Sequence, residues 1–84
     1  MWTERIIKVP TKDGGTVEFR CQVKHYDEPS EEFGINGGRI SKLWMQNNIT
    51  KETVANYDRG WDIEPDKKNQ QVMVAYYLLL KDYN

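Results

Sequence analysis

Between Val17 and Lys24 apolar and polar positions alternate without a break, Val17, Phe19, Cys21 and Val23 against Glu18, Arg20, Gln22 and Lys24. A period of two residues predicts a half-buried strand. Upstream, Trp2 to Val9 carries the β-branched Ile6, Ile7 and Val9 and stops at Pro10, which has no amide to donate. Asp13, Gly14 and Gly15 between the two runs supply a tight turn. The first two strands therefore form a hairpin.

Asp27 to Glu32 has no apolar period and predicts a solvated acidic loop, after which Gly34, Gly37 and Gly38 surround Ile35 and follow Phe33. One of these two apolar side chains is expected to tuck against the sheet. Arg39 to Gln46 predicts a third strand with an imperfect pattern. Ser41, Leu43 and Met45 share one face and Ile40, Lys42 and Trp44 the other, so either there is a second apolar face or a bulge resets the register. Asn47 and Asn48 suit a turn, and Lys51 to Tyr57 returns as a fourth strand with Thr53, Ala55 and Tyr57 on one side.

Asn56 to Asp66 is where strand-like patterning gives way to helical patterning. Pro65 suits the first helical position, Asp62, Glu64 and Asp66 suit the positive end of the helix dipole, and Lys81 suits the negative end. A helix from about Pro65 to Asp82 aligns Val72, Ala75, Tyr76, Leu79, Leu80 and Tyr83 in one stripe. Burying that stripe would contribute on the order of 10 kcal/mol as an upper estimate. The reading is a single α+β domain over residues 1–84, an antiparallel four-stranded sheet of two hairpins with one C-terminal helix on one face, in the order ββββα.

Composition narrows the chemistry more than it identifies it. A lone Cys21 excludes an intrachain disulfide and a cysteine-based zinc cluster, and together with the lack of a long apolar run it predicts a cytoplasmic protein that does not enter a membrane. A net charge of −1 makes nucleic acid an improbable partner, although Arg20, Lys24 and Tyr26 on an open sheet face offer a weak binding surface. Cys21 and His25 lie about 13 Å apart along one strand, too far to form a nucleophilic pair. Asp58, Asp62, Glu64 and Asp66 lack the spacing of a calcium loop and have Arg59 among them. The glycines precede a strand, so they lack the helix N-terminus of a phosphate loop. No enzyme, metal or cofactor is predicted.

The run Phe33 to Leu43, with Asn56 to Pro65 and the closing Lys81 to Asn84, resembles a family of small uncharacterised domains encoded by Firmicutes bacteria, their phages and conjugative elements. The resemblance covers roughly the last 50 residues and implies a cytoplasmic protein from a mobile-element or Gram-positive setting, with no catalytic role to transfer.

The outer helix face gives the leading functional expectation. Val74, Tyr77 and Leu78 lie opposite the core stripe, so the second half of the helix is apolar nearly all round and needs a cover, either another segment or a partner. A non-catalytic interaction module that forms a homodimer through this face is the simplest form. Trp61 serves as a core plug or an interface anchor beside Arg59. The alternative is an inhibitor whose acidic patches, including Glu31 and Glu32, occupy a partner's basic nucleic-acid groove.

Overall fold

A computed structural model describes residues 1–84. Strands β1 (Trp2–Pro10), β2 (Thr16–His25), β3 (Ile40–Asn47), β4 (Thr53–Asp58) and β5 (Trp61–Ile63) form one antiparallel sheet in chain order, followed by helix α1 (Gln70–Tyr83). A single 3₁₀ turn, Ile35–Gly37, interrupts the β2–β3 connection. The α+β class, the antiparallel sheet and the C-terminal helix match the sequence reading; the sheet has five strands instead of four.

The extra strand follows from one backbone angle. Arg59 adopts φ 57°, and this left-handed residue lets Asp58 reverse through Arg59 and Gly60, so that Tyr57 pairs with Trp61 and Asn56 with Ile63. The amide of Asp58 donates to the Gly60 carbonyl at 2.9 Å and that of Arg59 to the Ser41 carbonyl at 3.1 Å. The corner expected at residues 56 to 66 is thus a short hairpin and then a loop.

Alternation places Ile7, Val9, Phe19, Cys21, Val23, Leu43, Met45, Ala55 and Tyr57 on the face covered by α1, whose Val72, Ala75, Tyr76 and Leu79 complete the core. The ambiguity in β3 resolves as a bulge. Lys24 pairs with Lys42 but His25 pairs with Ile40, and the extra residue allows Ile40 and Ser41 both to be buried while Trp44 stays on the outer face. Ile35 is the loop residue that enters the core; Phe33 remains exposed.

The helix begins five residues later than Pro65. Asp66 closes a polar turn, accepting the Asn69 amide on its carbonyl at 3.0 Å and the Lys68 amide on its carboxylate at 2.9 Å. Asn69 then caps the helix by accepting the Val72 amide at 3.1 Å. Lys67 and Lys68 offer nothing to bury, so the helix starts where burial starts. Pro65 is itself buried, and no acid stands in the first turn.

Candidate functional site

Helix α1 lies along β1. Its N-terminal half meets the far end of that strand, where Gln70, Gln71 and Val74 share a shallow cleft with Val9 and Pro10. Its C-terminal end is tied to the same strand by an ion pair between Asp82 and Arg5, whose guanidinium is held further in its charged form chiefly by that hydrogen bond. Val74, Leu78 and Asp82 are four residues apart and form one flank of the helix, so this flank follows the free edge of the sheet.

No segment of the chain covers the outer helix residues. Val74 is 46% exposed and Tyr77 58%, whereas Leu78 is half-buried against the core together with Met73 and Leu80. Tyr77 lies on the side of the helix toward Tyr76, whose ring is 5.8 Å away. The three predicted interaction residues therefore divide, Val74 and Leu78 toward the edge and Tyr77 away from it. Trp61 is half-buried and meets Tyr57 at 4.9 Å and Tyr76 at 5.7 Å, both edge-on, so it closes the β4–β5 side of the core.

The free edge belongs to β1. Met1 and His25 exchange both backbone hydrogen bonds at 2.9 Å, and the Thr11 amide donates to the Gly15 carbonyl at 3.0 Å. With unbroken register between these points, the odd residues of β1 point their amides and carbonyls at β2. Trp2, Glu4, Ile6 and Lys8 consequently direct theirs outward, and Pro10, next in that series, has no amide to present. Their side chains stand on the outer sheet face, where Ile6 is 47% and Trp2 57% exposed.

On that face most charges are paired, Arg20 with Glu4, Lys8 with Glu18 and Lys42 with Asp58. Lys24 instead lies over the rings of Trp2 and Tyr26 at 5.9 and 5.6 Å. Arg59 lies 5.1 Å over the ring of Phe33 and borders a cleft with Lys24, Arg39 and Lys42. Glu31 and Glu32 are exposed in the loop nearby. Cys21 is fully buried, and burial pushes its thiol up to about 12. His25 accepts or donates at Nε2 to the Thr3 hydroxyl, 3.0 Å away, and faces Tyr83. The edge of β1 and the basic cleft are the two features sequence patterning missed; only the Pro10 stop gave a local sign of the first.

No helix is long and apolar enough to cross a membrane. No curated protein and no solved structure matches the chain. A family model does match, over residues 1–84, and the chain belongs to that family, described as Domain of unknown function (DUF7678).

Proposed function

We propose that this domain is a non-catalytic interaction module that pairs with a second copy of itself through the free edge of β1. The observation that carries the reading is the self-complementarity of that edge. A two-fold axis at Ile6 sets Ile6 against its own copy, Glu4 against Lys8 and Trp2 against Pro10. All of these are outward-bonding positions, so the two Ile6 residues exchange amide and carbonyl bonds, as do both Glu4–Lys8 pairs. At the ends the Trp2 amide meets a Pro10 carbonyl, while the Trp2 carbonyl has no proline amide opposite it and stays in water, so each end pair makes one bond instead of two. Opposite charges fall opposite each other and the apolar residue lies on the axis.

The helices support the same axis. A strand spacing of about 4.8 Å puts an element seated over β1 and β2 about 5 Å from an axis at the free edge. Two such helices would then lie about 10 Å apart, the usual packing distance. Val74 and Leu78 are on the flank that would face the copy. Tyr77 is left outside this interface.

Solution mass and amide exchange test the reading together. The wild type is expected at twice 9.9 kDa, with the amides of Glu4, Ile6 and Lys8 protected. Glu4→Lys should dissociate it by setting Lys against Lys8, and Glu4→Lys combined with Lys8→Glu should restore it. A monomer at millimolar concentration overturns the proposal, as does a dimer in which those three amides exchange freely.

A further inference from the structure

At the end of the sheet where the β2–β3 connection folds back, a cleft of about 280 Å³ is bordered by Lys24 of β2, Arg39 and Lys42 around the start of β3, and Arg59 at the β4–β5 turn. The one acid in its lining is Glu28, and Asp58 stands 3.6 Å from Lys42. Four cations against these two carboxylates leave a surplus of two positive charges, in a chain whose net charge is −1. Elsewhere on the outer sheet face Lys8 and Arg20 are each matched by a carboxylate.

Two of the cations rest on aromatic rings. Lys24 rests over the Trp2 and Tyr26 rings and Arg59 over Phe33; the Arg59 contact uses the face of the ring, while Lys24 also hydrogen-bonds the Tyr26 phenol with part of its donor capacity. Arg59 occupies its position at φ 57°, in the left-handed region that a residue with a Cβ adopts only at a cost. The fold alone would favour glycine there; the residue present instead delivers a guanidinium to the cleft. The field is felt by Tyr26, whose phenol is held below its ordinary value chiefly by hydrogen bonding with Lys24, with Ser41 and the charge of Arg59 adding to it.

We propose that this cleft binds the dianionic phosphate of a small phosphate monoester. A guanidinium fork from Arg39 or Arg59 and an ammonium from Lys24 or Lys42 suit its oxygens, and the attached organic group rests against Phe33 and Tyr26. The double charge of the ligand matches the surplus of two, which a single carboxylate would only half neutralise. The volume is at the lower end for ligand pockets and limits the attached group to about the size of one ring. None of the four cations lies on β1, so the cleft does not need the dimer; its one link to that edge is Trp2, under Lys24.

The test is a nuclear magnetic resonance titration of the full chain at low salt with phenyl phosphate, inorganic phosphate and benzoate as probes. Saturable shifts at Tyr26, Phe33 and Arg59 are expected, with phenyl phosphate bound about tenfold or more tightly than benzoate and more tightly than inorganic phosphate. Affinity should fall as pH drops through about 6, where the phosphate dianion takes up a proton. Arg59→Gly should lose about tenfold or more in affinity while its melting temperature holds or rises, since glycine suits that backbone angle. Shifts that do not saturate, equal binding of benzoate, or unchanged affinity in Arg59→Gly would each overturn the proposal.

Discussion

The side-chain amide of Asn84 occupies the space that a Cβ on Gly38 would need. That amide spans the glycine loop, donating to the Ile35 carbonyl at 3.1 Å and accepting the Ile40 amide at 3.0 Å. The residue after the last helical turn therefore fixes the entry into β3. Gly38 is required by this close approach, as its φ of −95° is ordinary.

Gly38→Ala and Asn84→Ala should each cost about 1–3 kcal/mol, since either change breaks up the same two hydrogen bonds. Their double variant should cost clearly less than the two together, because the second change removes bonds already lost. Urea unfolding of the four proteins measures this coupling. Strict additivity would mean that the two residues act separately.

Capping by Asn69 makes a second prediction. Asn69→Ala should cost about 1 kcal/mol, and Asn69→Asp should be near neutral, its charge favoured at the helix N-terminus. Asp62→Ala and Glu64→Ala, outside the helix, should change the thermal midpoint little. A larger loss at either acid than at Asn69 would return the helix start to Pro65.

Alkaline pH should destabilise the domain through Cys21. Its thiol rises from 9.0 to about 12 on folding, so the unfolded chain loses this proton first and stability falls as pH rises across that window. The slope approaches about 1.4 kcal/mol per pH unit. Tyr76, also raised chiefly by burial, acts in the same direction above its ordinary 10.0. Unfolding curves of Cys21→Ala should show a shallower pH dependence, and native Cys21 should resist thiol reagents at neutral pH. Equal slopes in the two proteins would remove the thiol from the account.

What was legible in the sequence was whatever depended on neighbours along the chain. The alternation from Val17 to Val23 gave β2, its partner run gave β1, and the stripe Val72, Ala75, Tyr76 and Leu79 gave the buried side of α1. Ile40 broke the pattern of β3 because the bulge depends on how β2 pairs with it. Strand β5 was hidden because Arg59 is an unusual residue for a left-handed turn, and the acids around it looked like helix caps. The cleft was hidden for a longer-range reason. Its four cations come from three separate places in the chain, β2, the start of β3 and the β4–β5 turn, and no one of these segments is strongly basic taken alone.

The two edges of this sheet are unequal, nine residues at β1 and three at β5. A protein with two long open edges can add copies without end and grow into a fibre. Here the long edge is self-complementary and the other is too short to template another strand, so pairing through β1 uses up the growing end. Under the proposed pairing, association would close at two copies, and the same Pro10 that ends the strand would also limit how far a misaligned neighbour could zip along it.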